Sequence, residues 1–367
     1  MKKIGIIGVG RLGLCFGLTL ERAGYDVVGC DIDSSRVEMI NARSLRSSEP
    51  GVEGWLQQST NLRATTDYET VLRHANMIFV LVHTQTEPDG RYDHSYVEAV
   101  VGSLIEHGPN AETKHLVVGC NINPGYSDQL ATRLRKYNWV VSYNPELVAQ
   151  GTILQNQNTP DSVYLGVESA NAASEIEEIY KDITSNDPPV FKMTRLEAEI
   201  TKGCLNCFLT TKISFANMVG DLTTTMGGNP DVVLNAIGND SRIGSRFFKY
   251  GFGWGGPCFP RDTRALMRNA ELAGISPTIV RAAFESNREH LHFQVQQFVE
   301  HNSTKELVRM SGVSYKKGSP ILEESQQLLF SLALAERGYR VLVVETEEVI
   351  DRLKELYPDT FEYEVCT

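Results

Sequence analysis

Short apolar runs alternate with amphipathic stretches through the first half of the chain. Residues 2–8 contain an apolar run that ends in glycine, residues 25–31 contain another, and residues 12–23 between them have the spacing of a helix. Further apolar runs at 77–82 and 116–120 continue the alternation. Strands buried on both faces and separated by helices predict a doubly wound parallel sheet, an α/β fold of the Rossmann type. The other elements predicted here are a helix at 96–105 and short strands at 139–142 and 162–166.

The pattern changes after about residue 190. Helical periodicity dominates 195–225 and 262–301, and a glycine-dense segment from Gly244 to Gly256 lies between them. Strand signal returns at 307–313 and at 339–345. We therefore predict a second, small α/β region after a helical one. The predicted domains are an α/β domain at 1–193, a central helical domain with a long helix at 194–302, and a small C-terminal α/β domain at 303–367.

Charge and composition exclude several classes of protein. The 46 acidic and 35 basic side chains leave a net charge of -11, so no overall field attracts nucleic acid or an anionic membrane. No apolar run approaches the roughly 20 residues of a membrane span. Seven cysteines, an odd number in a long chain, favour free thiols in the cytoplasm. Cys204 and Cys207 form a CxxC inside a helical pattern without a second pair, so we predict no metal site.

A glycine motif, Gly8-x-Gly10-x-x-Gly13, joins the first strand to the first helix. The first glycine permits a tight turn, the second lets the backbone approach a pyrophosphate, and the third lets helix and strand pack closely. Asp31 ends the second strand, where a carboxylate binds both ribose hydroxyls and repels a 2′-phosphate. The motif predicts NAD rather than NADP. A glycine turn that binds nothing is the alternative, and the strand, helix and aspartate around the motif argue against it.

One cysteine, Cys258, stands among glycines and just before Arg261 and Asp262. Such a loop can wrap its amides around a substrate and present a thiol, and a nearby cation favours the nucleophilic thiolate. Beside a dinucleotide site, a thiol that adds to an aldehyde gives a thiohemiacetal that can lose a second hydride. The alternative, judged from the local sequence alone, is that Cys258 is only a small apolar residue in a turn.

Lys202 and Asn206 are four residues apart and share one face of a predicted helix. An ammonium and an amide aimed into a site can polarise a developing alkoxide. A solvated lysine beside a packed asparagine is the simpler interpretation of this spacing. Two other groups lack metal-ligand spacing and are predicted to lie on solvated helix faces: Arg264, Arg268 and Arg281, and His290, His292 and His301.

Together these segments resemble the UDP-glucose/GDP-mannose dehydrogenase family. The further segments that carry the resemblance are Glu49-Pro-Gly51, Val82-His-Thr84, Asn144-Pro-Glu146, residues 208–217, Arg242-Ile-Gly244, residues 253–262, Tyr315-Lys316-Lys317 and Glu324-Ser325. The resemblance implies an NAD-binding domain, a central domain whose long helix forms a homodimer interface, and a C-terminal domain that helps to hold the nucleotide of the substrate.

The resemblance also implies a reaction and its residues. A primary alcohol on a nucleotide sugar becomes a carboxylate while two NAD are reduced. Cys258 would form the thiohemiacetal and thioester, Lys202 and Asn206 would stabilise oxyanions, and Asp262 would act as base through a water. Glu146 would assist thioester hydrolysis or orient the water and substrate. The cofactor residues implied are Gly8, Gly10, Gly13, Asp31, Arg36, Thr84 and Arg261. The substrate residues implied are Arg242, Gly255, Lys316 and Asn121. Of these, Arg242 would reach the substrate of a neighbouring subunit.

Several positions depart from the family pattern. Glu323 stands where an arginine is expected near the sugar nucleotide, Asn121 replaces a threonine, Gln150 replaces a second acid, and Arg261 replaces a lysine. The chain also ends at Thr367, so we expect a shortened C-terminal domain. These departures bear on the substrate more than on the reaction.

The sequence therefore predicts a cytoplasmic NAD-dependent oxidation of a nucleotide sugar, UDP-glucose to UDP-glucuronate, for polysaccharide biosynthesis. Three alternatives stay open at this stage. The same chemistry could act on another nucleotide sugar or on a nucleotide-free sugar, because of Glu323. A two-electron alcohol dehydrogenase would use Lys202 and not Cys258. A regulatory subunit without activity would keep only the fold.

Overall fold

The computed structural model describes residues 1–316 and 318–366. Lys317, part of the Tyr315-Lys316-Lys317 segment, and Thr367 lie outside the described residues. The chain divides into two compact units, 1–202 and 203–367. The three domain ranges predicted from the sequence remain a prediction. No helix within the described ranges is both long enough and apolar enough to cross a bilayer.

The first unit is built on an eight-stranded sheet. The strands of this unit are β1 (Lys3–Ile7), β2 (Asp26–Cys30), β3 (Leu62–Thr65), β4 (Met77–Val80), β5 (Gln85–Thr86), β6 (Tyr92–Asp93), β7 (Lys114–Val118), β8 (Trp139–Tyr143), β9 (Val163–Gly166) and β10 (Val190–Met193). The helices are α1 (Arg11–Arg22), α2 (Ser34–Asn41), α3 (Val52–Gln58), α4 (Tyr68–His74), α5 (Ser95–His107), α6 (Tyr126–Leu134), a 3₁₀ turn (Arg135–Tyr137), α7 (Ile153–Asn158) and α8 (Ala170–Ile183).

The strand order of this sheet is β10-β9-β8-β7-β4-β1-β2-β3, and β5 and β6 form a separate hairpin. Neighbours are parallel except β8 and β9, which run antiparallel and meet only at Tyr143 and Gly166. Apolar side chains pack on both faces, which explains the continuous apolar runs of the central strands. The predicted Rossmann-type sheet is confirmed.

Strand β1 stands near the middle of the sheet, between β4 and β2. The carboxyl ends of these three parallel strands meet at one edge, where an open α/β sheet binds its ligands. Gly8 follows β1, Asp31 follows β2, and Thr84 lies four residues beyond β4. The order of strands thus gathers the predicted cofactor residues of the first unit.

The second unit combines long helices with a small sheet. Helix α9 (Arg195–Thr225) begins in the first unit and continues into the second, which then contains α10 (Pro230–Gly238), α11 (Phe259–Leu272), α12 (Thr278–His301), β11 (Val308–Ser311), α13 (Gln326–Glu336), β12 (Val341–Glu345), α14 (Glu347–Leu356) and β13 (Glu362–Val365). The strands pair in parallel in the order β11-β12-β13. The predicted long central helix and small terminal α/β region are both present.

Candidate active site

The glycine loop after β1 has two tightly packed glycines and one open one. Gly8 has φ +94°, and a Cβ atom there would lie 2.7 Å from the Leu81 carbonyl oxygen. A Cβ atom on Gly13 would lie 1.9 Å from the Gly8 carbonyl oxygen. A Cβ atom on Gly10 would meet nothing within 4 Å. The protein's own packing therefore requires Gly8 and Gly13, whereas Gly10 leaves space at the amino end of α1 for a phosphate group.

Asp31 and Arg36 lie around the amino end of α2. The Asp31 carboxylate accepts the Asp33 backbone N–H at 3.1 Å, and Asp33 caps α2 by accepting the Arg36 N–H at 3.1 Å. Arg36 Nε lies 4.0 Å from Asp33 Oδ2. An acid at the end of β2 fits the ribose of NAD. With the open space at Gly10, these residues fit a dinucleotide.

Thr84 and Asn121 lie in loops that follow neighbouring strands, β4 and β7. The Thr84 side chain is buried, and its hydroxyl donates to the Asn121 carbonyl oxygen at 3.0 Å. The hydrogen bond ties the two loops together at the carboxyl edge of the sheet. One residue predicted to contact the cofactor thus touches one predicted to contact the substrate.

Glu146 and Lys202 meet in the first unit. Lys202 Nζ, on α9, donates to the Glu146 backbone carbonyl oxygen at 2.9 Å. Burial raises the pKa of the Glu146 carboxyl to about 7, although the Gln157 amide and the Lys202 charge oppose the rise. Glu146 lines a cavity of about 20 Å³, which is room for about one water molecule. A carboxyl with this pKa can exchange a proton with water near neutral pH.

Cys258 is the N-cap residue of α11 and is half-buried. Pro260 stands in the first turn, where its missing N–H costs nothing, and the Asp262 N–H donates to the Cys258 carbonyl oxygen at 2.9 Å. The thiol and the Asp262 carboxyl therefore belong to the same helical turn. The positive end of a helix favours an anion, which for a cysteine is the nucleophilic thiolate.

Asp262 is almost completely buried and is held from both sides. Asn206 Nδ2, on α9, donates to Asp262 Oδ2 at 2.6 Å, and Arg261 Nε donates to Asp262 Oδ1 at 3.0 Å. Cys207 Sγ lies 3.4 Å from the Asp262 carbonyl oxygen. Burial raises the pKa of Cys207 to about 12, so this thiol is unreactive.

The predicted substrate residues of the second unit lie in three places. Arg242 is exposed and forms an ion pair with Asp240 at 2.7 Å. Lys316 is exposed in a turn after β11. Gly255 packs tightly, since a Cβ atom there would lie 2.0 Å from the Glu324 carbonyl oxygen. The structure groups Cys258, Asn206, Arg261 and Asp262 in this unit.

His290 contradicts the prediction of a solvated face. Its side chain is almost completely buried and contacts Asp221 and the Gly251 carbonyl oxygen, whereas His292 and His301 on the same helix are exposed as predicted. Periodicity places a residue on a helix face but does not show what packs against that face. Asn287, His290 and Gln294 follow an i, i+3, i+7 spacing, and this spacing was the signal available in the sequence.

Two ranges of the chain match domains of a known family. Residues 2–184 match the NAD binding domain of the UDP-glucose/GDP-mannose dehydrogenase family, and residues 196–289 match its central domain. Together these ranges take in well over half of the chain.

Individual proteins are similar over nearly the whole length. The UDP-glucose 6-dehydrogenase AglM of Haloferax volcanii is 30% identical, over 97% of this chain and 86% of its own. The GDP-mannose 6-dehydrogenase of Pseudomonas aeruginosa is 26% identical, over 94% and 81%. The solved structure of a UDP-glucose dehydrogenase from Pyrobaculum islandicum matches with a TM-score of 0.90 and 30% identity, over 99% and 86%.

Proposed function

Since this chain belongs to the UDP-glucose/GDP-mannose dehydrogenase family and is an NAD-dependent nucleotide-sugar dehydrogenase, we propose that its substrate is UDP-glucose and its product UDP-glucuronate. The substrate rests on the 30% identity to two UDP-glucose dehydrogenases across nearly the whole chain. The mechanism rests on one observation, that Cys258 and Asp262 share the first turn of α11 while Asn206 holds the Asp262 carboxylate.

The first oxidation turns the sugar hydroxymethyl group into an aldehyde. Asp262, through a water, accepts the hydroxyl proton, and the two hydrogen bonds from Asn206 and Arg261 keep its carboxylate in one orientation. NAD would supply the hydride acceptor for each oxidation, so two NAD would be reduced per sugar. Gly8, Gly10, Gly13 and Asp31 would hold this cofactor.

The second oxidation proceeds on the thiol. Cys258 Sγ adds to the aldehyde carbon, so a C–S bond forms and the carbonyl oxygen becomes an oxyanion that Lys202 and Asn206 stabilise. Loss of a hydride from that carbon leaves a thioester. Water then attacks, Glu146 accepts a proton from it, and the C–S bond breaks to give the carboxylate and the free thiolate. A Glu146 pKa of about 7 suits this proton transfer.

The stoichiometry of NADH tests the proposal. Purified protein is incubated with UDP-glucose, UDP-N-acetylglucosamine, UDP-N-acetylmannosamine or GDP-mannose, and NADH formed per sugar consumed is measured at 340 nm. We expect two NADH per UDP-glucose, and loss of the carboxylate product in Cys258→Ser. The matched control is Cys204→Ser, an exposed cysteine that should leave the stoichiometry at two.

Other outcomes select among the alternatives. Two NADH from another sugar keeps the mechanism and changes the substrate, which the acid Glu323 makes worth testing. One NADH per sugar, unaffected by Cys258→Ser, supports a two-electron dehydrogenase. No NADH with any of the four refutes the proposed substrate.

We also propose that the protein is a homodimer. Large apolar side chains are exposed along one face of α9 in the second unit: Phe208, Phe215, Met218 and Leu222. An apolar face of this kind favours burial against a partner. Light scattering with size exclusion should give twice the chain mass, and Phe208→Glu should give the monomer mass.

Cytoplasmic location and a role in polysaccharide biosynthesis remain predictions from the sequence.

A further inference from the structure

Six polar side chains hold main-chain and side-chain groups of residues 250–254, shortly before Cys258, and we name them the loop clamp. They lie on two helices of the second unit, and on each helix their spacing is i, i+3, i+7, which places them on one face. The loop clamp consists of Ser214, Asn217 and Asp221 on α9, and Asn287, His290 and Gln294 on α12.

The α12 side of the loop clamp binds main-chain groups. Asn287 Oδ1 accepts the Trp254 N–H and its Nδ2 donates to the Trp254 carbonyl oxygen, both at 2.9 Å. His290 Nε2 lies 2.6 Å from the Gly251 carbonyl oxygen, and Gln294 Nε2 donates to the same oxygen at 3.1 Å. These bonds fix the main chain at Gly251 and at Trp254.

The α9 side binds the same stretch from another direction. The Gly251 N–H donates to Asn217 Oδ1 at 3.2 Å, and the Trp254 indole N–H donates to the Ser214 hydroxyl at 2.9 Å. The Tyr250 hydroxyl donates to Asp221 Oδ1 at 2.8 Å. Burial raises the pKa of Tyr250 to about 12, so this hydroxyl keeps the proton that it donates.

His290 connects the two sides. Its Nδ1 lies 2.8 Å from Asp221 Oδ2, while its Nε2 faces the Gly251 carbonyl oxygen. The ring therefore bridges a carboxylate on α9 and a main-chain carbonyl of the loop. Removing this ring would take one hydrogen-bond partner from the Asp221 carboxylate, which keeps the Tyr250 hydroxyl, and would break the link from Asp221 to the Gly251 carbonyl oxygen.

The packing leaves the loop little freedom. A Cβ atom on Gly220 of α9 would lie 2.0 Å from the Tyr250 ring, and one on Gly253 would lie 2.4 Å from Asn287 Oδ1. Farther along, the Gly256 N–H donates to the Glu323 carbonyl oxygen at 3.0 Å. The chain is therefore fixed from Tyr250 to two residues before Cys258.

We propose that His290 is a positioning residue for Cys258: by joining Asp221 to the Gly251 carbonyl oxygen it sets the path of the loop that delivers the thiol to the amino end of α11. This inference rests on the proposed role of Cys258 as nucleophile. His290 acts through the loop and touches no substrate.

The test compares three variants of the full chain. His290→Leu removes both contacts, His290→Gln keeps an N–H that can reach Gly251, and His292→Leu changes an exposed residue of the same helix. Alkylation of Cys258 by iodoacetamide is followed by peptide-resolved mass spectrometry, without substrate. Turnover and KM for NAD are measured with UDP-glucose, and melting temperature is recorded for each variant.

We expect His290→Leu to slow alkylation about fivefold, because the thiol leaves the positive end of the helix. Its kcat should fall about 10- to 100-fold, since a displacement of about 1 Å at a reacting atom costs about 100-fold. KM for NAD should stay within about twofold, because the His290 substitution does not touch the loop from Gly8 to Gly13. His290→Gln should recover part of both rates, and His292→Leu should match the unaltered protein.

Two results would overturn the inference. Alkylation and kcat of His290→Leu equal to those of His292→Leu would show that the ring does not position the thiol. Equal losses in His290→Leu and His290→Gln, with a collapsed melting temperature in both, would assign His290 to folding alone. Alkylation needs no substrate, so a failure of the proposed UDP-glucose activity is recognised separately.

Discussion

Replacing the Glu146 carboxyl with an amide should stabilise the protein at high pH and not at low pH. Burial raises the pKa of this carboxyl from an ordinary value of 4.5 to about 7. The difference of about 2.5 pH units, at about 1.4 kcal/mol per unit, corresponds to about 3 to 4 kcal/mol. This is the free energy by which the folded state disfavours the charged form.

Proton linkage determines whether the stability of the protein falls or rises with pH. Below pH 4.5 the carboxyl is protonated in both the folded and the unfolded chain, so its burial does not lower the free energy of unfolding. Between pH 4.5 and 7 the unfolded chain releases the proton while the folded chain keeps it, so stability falls as pH rises and the loss is complete above pH 7. Glu146→Gln has no proton to lose, and should therefore exceed the unaltered protein in stability by up to about 3 to 4 kcal/mol at pH 8 and by little at pH 4.5.

Thermal melts of both proteins at pH 4.5, 6 and 8 measure this difference. Glu106→Gln, which changes an exposed carboxylate of the same unit, is the control and should leave the profile unchanged. Glu146→Gln should also lose hydrolysis of the thioester, so its stability rises while its turnover falls. A stability gain that is equal at all three pH values would refute the reasoning.

Three further predictions concern the two glycines and the amide of the site. Gly10→Ala should leave the melting temperature unchanged, because its Cβ meets no protein atom within 4 Å. It should weaken NADH binding, measured by fluorescence, because the Cβ occupies the space left for a phosphate group. An unaltered affinity for NADH would contradict this. Gly13→Ala should lower the melting temperature by several degrees, since its Cβ would lie 1.9 Å from the Gly8 carbonyl oxygen. Asn206→Ala should lower kcat by about 100- to 1,000-fold with little change in KM, as expected when an oxyanion donor is lost; a change in KM alone would assign the amide to ground-state binding.

The sequence predicted the central part of the first sheet because that part is buried on both faces. After Lys3, strand β1 is apolar, and the glycine loop that follows it is local in sequence. The Rossmann-type fold, NAD and the family were therefore all accessible from the sequence and are confirmed. Strand β3 was missed. It is an edge strand of four residues, Leu62–Thr65, with only one buried side chain, and gives almost no periodic signal.

The contacts of the site were less accessible. Helical spacing placed Lys202 and Asn206 on one face of α9, as predicted, but the Asn206 bond to Asp262 joins positions 56 residues apart. The raised pKa of Glu146 arises from burial that its neighbours in sequence do not reveal. The burial of His290 likewise comes from packing against a loop. Long-range partners decide these properties, and a single sequence does not specify them.

The first turn of α11 carries both the proposed nucleophile and the proposed base. Cys258 and Asp262 are joined by one main-chain hydrogen bond of 2.9 Å, so helix geometry sets the spacing of their main chains, while the loop clamp holds the segment that leads into Cys258. Mutations in loops outside the loop clamp can therefore change which sugar is accepted without dismantling the pair that does the chemistry. Substrate range and reaction type are free to evolve separately, and a departure such as Glu323 is the kind of change this arrangement tolerates.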